Sequence, residues 1–456
     1  MNRLLRIFFL CVFLSLSLNG RAQTVPINAV AALMDSSSYG TPPYVLWERY
    51  VWSYYAGMYP QWTNMLFDVG HGGQGLQGDW QNDWQKRTLP YIAVLTNSGS
   101  FDFYIMQTDN GGNNSNVYPF LLNFTNAPPS FYDGVSGVTN QEINPPLKYN
   151  YFFIGAIPAD TAGGDDGNNS GRQAAVLSVN TLLGTPQFDL LHELLTNGWV
   201  ADIIGDRVLG FYTGVHPKPP GHLAIAQWTL VNRNVETNVA QLTINWNGNS
   251  FATNHCALSG ASISGNTFSA TIHWDRMGMG WDRAHGNYTN DAMPAFAAMP
   301  VLTKQFNWIV QATNLPTGTY TCTMDSRFIF SATAAELAAG VNLWTNKNAW
   351  IGDQQQAVLD AICDVYGVDP VTLAQTHPAG SPGAHGLRDD INLRSDADGS
   401  YGSGNRGTNL VNALASDLSS MVTLSGYVRQ AAVQTNHTIT ITFQTLQPTH
   451  LRIRAR

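Results

Sequence analysis

Apolar and polar positions follow two different rhythms along this chain, and the change between them divides it. From about residue 27 to 235, short unbroken apolar runs alternate with longer runs of helical spacing. INAVAALM (27–34) reads as a strand that meets the polar loop DSSSYG, and YVLWERYVWSYYAG (44–57) as a helix closed by Gly57. NMLFDVG, FDFYIMQT and YFFIGAIP read as three more buried strands. GRQAAVLSVNTLL, QFDLLHELL and HLAIAQWTLV read as helices, the last preceded by a stiff Pro-rich loop in which Gly221 turns the backbone into the helix. Strands that alternate with helices imply a parallel sheet, with sites gathered at the carboxyl ends of the strands.

From about residue 236 the period shortens to two. VAQLTINWNG, GNTFSATIHW and GTYTCTMDSRFIF read as strands of an antiparallel module. From about 332 helices return in AAELAAGVNLW, QQQAVLDAICDVYG and TNLVNALASDLSSMV. A long Gly/Ser/Asp-rich loop separates the last two, and HTITITF near the end alternates as a strand. The division expected is a leader over 1–22, an α/β domain over 23–235, a β-rich module over 236–331, and a helical extension over 332–456 that carries a terminal strand and tail.

Composition narrows the partners. Of 456 residues only 12% are charged, and the net charge is −8. Phosphate binding needs clustered Lys and Arg, so nucleic acid is not an expected partner. The first residues join a basic end (Arg3, Arg6), an apolar core (Ile7 to Leu18) and small residues before Gln23. That is the pattern of a secretory signal peptide, too short for a membrane span, so a secreted or periplasmic protein is expected. Cys11 leaves with the leader. Two readings stand for the three cysteines left: a Cys256–Cys322 disulfide, because both lie in the strand-rich middle, or buried free thiols.

Four polar segments follow the apolar runs of the first region. They are Met34-Asp35-Ser36-Ser37, Asp68-Val69-Gly70-His71-Gly72-Gly73, Gln107-Thr108-Asp109-Asn110-Gly111-Gly112 and Thr213-Gly214-Val215-His216-Pro217. In this order they resemble the sequence blocks of the SGNH (GDSL-type) hydrolase family: Gly-Asp-Ser, Asn-x-Gly-x-x-Gly, Gly-x-Asn-Asp, and Asp-x-x-His-Pro with Gly-His just after. The resemblance covers roughly residues 27 to 235. LPTGTYTCTMDSRFIFSATAAELAAGVNL is also similar to C-terminal extensions of exported members.

The resemblance implies an α/β fold: a three-layer α/β/α domain with a mostly parallel sheet, followed by a β-rich and helical C-terminal extension. It implies ester hydrolysis through an acyl-serine, with no cofactor and no metal. Ser36 is then the nucleophile and His216 the base that takes its proton. Backbone amides of Ser36 and Gly73 face the oxyanion. Asp109 or Asn110 is the further oxyanion member, and Thr213 stands at the position of the acid that orients the histidine.

The departures are specific. Met34 replaces Gly, Asp68 replaces Asn, and the Asp109-Asn110 pair is inverted. Losing the orienting acid costs serine hydrolases on the order of 10⁴ in turnover, so another group, with Asp202 and Asp206 upstream, would have to serve in place of Thr213. An exported esterase of this kind fits a small ester or an acylated glycan as substrate; the oligomeric state is left open.

The alternative is a catalytically silent member of the fold that binds carbohydrate or acts as a scaffold. In that reading Trp274 and Trp281, within HWDRMGMGWDRAHG, stack on sugar rings. The same stretch holds His273, Asp275, Asp282 and His285, which read either as a cation site or as an aromatic loop with Asp–Arg pairs. DNGGNNSN and DTAGGDDGNNSG are oxygen-rich but lack EF-hand spacing and read as solvated loops.

Overall fold

The computed structural model describes residues 27–33, 47–68, 100–106, 130–131, 141–142, 149–154, 168–183, 189, 219–281, 304–346, 349–365 and 425–444. The first unit is a parallel sheet. Its strands are β1 (Ile27–Leu33), β2 (Thr63–Asp68) and β3 (Ser100–Met106); a two-residue ladder of β4 (Ser130–Phe131) and β5 (Gln141–Glu142) then precedes β6 (Tyr149–Ile154). The order is β2-β1-β3-β6, and all three pairings are parallel. The chain thus places β2 on one side of β1 and β3 on the other, which makes the carboxyl end of β1 the topological switch point.

Helix α1 (Trp47–Met58) connects β1 to β2. Every one of its residues is buried, the polar Glu48, Arg49 and Ser53 along with the apolar ones. It packs on β2, α3 (Pro219–Asn232) and α5 (Ala349–Val365), while α2 (Asn168–Leu183) packs on β6. Asn64 fastens the end of α1 to the start of β2: its Nδ2 donates to the carbonyls of Tyr55 and Tyr59, both at 3.1 Å. The Trp52 indole donates back to the Asn64 carbonyl at 3.0 Å.

The second unit is a sandwich of two sheets. One has the order β14-β11-β7-β8, from β7 (Asn238–Asn245), β8 (Ser250–Asn254), β11 (Asn307–Thr313) and β14 (Val341–Asn342). The other has the order β13-β12-β15-β10-β9, from β9 (Cys256–Ser264), β10 (Thr267–Trp274), β12 (Thr319–Met324), β13 (Arg327–Thr333) and β15 (Asn436–Gln444). The period-two pattern decides which side faces in. Leu242, Ile244, Trp308 and Val310 are buried in one sheet; Phe268, Ile272, Trp274, Tyr320, Cys322 and Ile439 are buried in the other. Rings meet across the gap, with Trp274 edge-on to Trp308 at 5.5 Å and Phe251 against Phe268 at 5.4 Å.

Several expectations change. The sandwich is not wholly antiparallel, since β7 and β11 pair in parallel. The run expected as one helix over 334–344 splits into α4 (Ala334–Ala339), Gly340 at φ 97°, and β14. Helix α1 continues through Gly57 to Met58, and α3 begins at Pro219, so Gly221 lies inside its first turn. Pro suits that first turn because the amide it lacks would have no partner within the helix. QFDLLHELL, apart from Asp189, and TNLVNALASDLSSMV lie outside the described residues.

Cys256 and Cys322 are both free thiols. They stand on strands β9 and β12, with β10 and β15 between. Three strand spacings of about 4.8 Å separate them, far beyond the reach of a disulfide.

Candidate functional site

Ser36, Gly73, Asp109, Asn110, Thr213 and His216 lie outside the described residues, as do Met34, Asp202 and Asp206. The elements next to them in the chain are described. β1 ends at Leu33, three residues before Ser36; β2 ends at Asp68, five before Gly73; β3 ends at Met106, three before Asp109. Because these strands are mutually parallel, their carboxyl ends share one edge of the sheet.

Helix α3 reaches the same edge. The helix between two parallel neighbouring strands runs back against them. Asn64 holds the last carbonyls of α1 at the amino end of β2, so the first turn of α1 lies at the carboxyl edge. There the Trp47 amide donates to Nδ1 of His222 at 3.3 Å. A first-turn amide has no partner inside its own helix, and His222, fully buried in the first turns of α3, supplies one. An imidazole nitrogen that accepts carries no proton, so the neutral ring holds its hydrogen on Nε2. The start of α3, three residues after His216, is thereby fixed beside the start of α1.

The residues of the alternative reading take other places. Trp274 and Trp281 are fully buried and present no face to a sugar. Trp281 Nε1 donates to the Trp344 carbonyl at 3.0 Å, and Trp344 Nε1 to the Met279 carbonyl at 2.8 Å. The segment around them is a seam, not a platform: Met277 N donates to the Gly57 carbonyl at 3.0 Å, and Gly280 N to Ser53 Oγ at 3.0 Å. His273 is hydrogen-bonded through Nδ1 to Asn436 Oδ1 at 3.2 Å. Among the described residues no group of three His, Cys, Asp or Glu side chains is placed to hold a metal ion; Asp282 and His285 lie outside them, as does DNGGNNSN, while DTAGGDDGNNSG ends inside α2.

One cluster has no counterpart in the sequence reading. On the sandwich, His437 Nδ1 meets Asp325 Oδ2 at 2.6 Å and His437 Nε2 meets Thr435 Oγ1 at 3.0 Å. The Thr438 amide donates to Asp325 Oδ1 at 2.8 Å. Burial pushes the Asp325 carboxyl up, but the hydrogen bonds from His437 and the Thr438 amide outweigh it and hold the group below its ordinary value. The only local signal was the Thr-x-His spacing at the start of β15, since Asp325 is 112 positions away.

The fold and its switch point define a mixed α/β protein whose parallel-sheet unit is joined to a β-sandwich. No protein-family model matches the chain, and no curated protein matches it by sequence. Among solved structures it is similar to a gut microbial diltiazem-metabolizing enzyme, with TM-score 0.55 and 15% identity over 93% of this chain and 100% of that one. A Bacillus subtilis protein gives TM-score 0.32 at 16% identity, over 46% of this chain and 58% of that one. A two-domain esterase active on acetylated mannans gives TM-score 0.30 at 10% identity, over 96% and 92%. At these identities the first likeness is one of fold. Among the described residues no helix is long and apolar enough to cross a membrane.

Proposed function

We propose that this protein is an ester hydrolase of the SGNH type, with Ser36 as nucleophile and His216 as general base. The hydrogen bond from the Trp47 amide to His222 carries the reading. It ties the start of α3 to the edge where β1 ends. Ser36 follows β1 by three residues and His216 precedes α3 by three. Each link spans at most about 11 Å of extended chain, a chain connectivity that supports pairing the two residues. The sheet order β2-β1-β3-β6 supports the same reading, since the strands that precede Gly73 and Asp109-Asn110 in the chain flank the strand that precedes Ser36. The shared fold with a diltiazem-metabolizing enzyme supports an enzymatic role.

In this mechanism His216 takes the Ser36 proton as Oγ attacks the ester carbonyl, then returns it to the leaving alkoxide. Amides of Ser36 and Gly73 stabilise the oxyanion, with Asn110 in preference to Asp109, whose charge would repel it. Thr213 supplies no carboxylate, so a backbone carbonyl or an upstream acid orients His216. The site belongs to the unit ending near residue 235. The substrate is a small acyl ester, of the kind carried by acylated glycans, met after export.

Hydrolysis of an aryl acetate by the purified chain, beside Ser36→Ala and His216→Ala, tests the proposal. Turnover should fall on the order of 10³-fold or more in both variants. Equal turnover in the wild type and Ser36→Ala would overturn it.

A further inference from the structure

The Asp325–His437–Thr435 cluster has the connectivity of a nucleophile relay, and it stands on a different unit from Ser36. The hydroxyl meets one imidazole nitrogen and the carboxylate meets the other, at 3.0 and 2.6 Å. In that order a carboxylate fixes the ring's tautomer and turns Nε2 toward the hydroxyl as the acceptor of its proton. Asp325 is itself held twice by the backbone of Thr438, since its carboxylate Oδ1 accepts from the Thr438 amide and its own amide donates to the Thr438 carbonyl, both at 2.8 Å. Both bonds tie the tight β12–β13 turn to β15. The turn requires positive φ at Asp325 (50°) and Ser326 (64°), the geometry of a two-residue hairpin of the mirror-image kind.

Burial divides the roles. His437 is buried, while Thr435 is exposed. The base is thus reached through the hydroxyl, and the hydroxyl faces incoming reagents. The Asp325 side chain is 44% exposed, which weakens its hold on the ring compared with a carboxylate shielded from water.

We propose that Thr435 is a second acyl-accepting hydroxyl, activated by His437, that takes acyl groups from activated esters such as aryl acetates. Thr435 Oγ1 forms a bond to the acyl carbon while its proton passes to His437 Nε2. The bond from the acyl carbon to the aryl oxygen breaks, and the aryloxide takes the proton. The product is an O-acyl threonine and a phenol, and no oxidant or further reagent is needed. With the relay on an open sandwich surface, the reaction is a slow single acylation.

The test uses Ser36→Ala, so it does not depend on the esterase reading: the acylation stands or falls whether or not Ser36 is a nucleophile. The full chain is incubated with 4-nitrophenyl acetate, and acetylation is followed at each hydroxyl by peptide mass spectrometry. Thr438, also exposed and three residues further along, is the internal control. General-base assistance contributes typically 10²–10⁴-fold; in this exposed relay Thr435 should gain its acetyl group at least about tenfold faster than Thr438. His437→Gln should reduce it to the rate of Thr438. Acetylation of Thr435 no faster than that of Thr438 in folded Ser36→Ala protein overturns the proposal, with no need for the His437 variant to fold. Equal labelling of Thr435 with Gln at 437 overturns it as well.

Discussion

Asp325 is a small test of how a surface charge contributes to the fold. Its folded pKa is held below the ordinary value by His437 and the Thr438 amide, against the upward push of burial. A lowered folded value makes the contribution complete above the ordinary aspartate pKa of about 3.9, and acid removes it as the carboxylate protonates through its lower folded value. The urea midpoint of the wild type should therefore exceed that of Asp325→Asn near neutrality, by no more than about 1 kcal/mol. The gap should narrow between about pH 5 and about pH 3; a gap that widens there would contradict it. The thiols make a second case. Burial pushes Cys256 up to about 11 and Cys322 higher still, so neither is a thiolate at neutral pH. Both should resist iodoacetamide in the native protein and react after unfolding. Legibility at this scale was uneven. Trp274 and Trp281 beside charged residues suggested an exposed platform, because spacing in a non-periodic stretch does not tell a core ring from a surface one. The His437 relay was beyond any local pattern, as its acid comes from another hairpin.

Among the elements, α1 shows packing overriding propensity. Ala is normally favoured over Gly inside a helix by about 1 kcal/mol. At Gly57 an added Cβ would stand 2.1 Å from the Gly278 carbonyl oxygen, a backbone atom of the seam. Gly57→Ala should therefore destabilise the protein, by about 1–3 kcal/mol in chemical denaturation, despite the better helix former. The sequence suggested Gly57 as a stop, and its use instead is close approach. Strands were legible where one face is buried: FSATIHW and HTITITF alternate, and β10 and β15 lie side by side. The four apolar strands of the first sheet were legible as continuous runs for the opposite reason, since parallel strands are covered on both faces. The break between α4 and β14 was not, because AAELAAGVNLW keeps a helical composition while Gly340 takes the φ of 97° that ends the helix.

At the level of the whole molecule, the seam at 277–281 joins both units and α5. Trp344 lies at its centre, fully buried against Phe306 at 4.8 Å, and its carbonyl accepts from both Trp281 Nε1 and Gln355 Nε2. Trp344→Ala should cost about 3–5 kcal/mol and lower the thermal midpoint of both units together. Two separate transitions in the wild type would show the seam to be weak. The parallel pairing of the first unit was legible from alternation, though not its strand order, and the assembly of the sandwich was not legible because its pairings join strands far apart in the chain. One of these pairings sets an order of events. β15 lies between β10 and β12, each paired to it along its length, yet it follows β12 by more than a hundred residues and is the last of the described strands. Until residue 444 has been made, the β9–β10 and β12–β13 hairpins must each keep an open edge, and open edges invite pairing with other chains. The sandwich therefore closes only after β15 has been made, and a growing chain stalled before it is the form most in need of a chaperone.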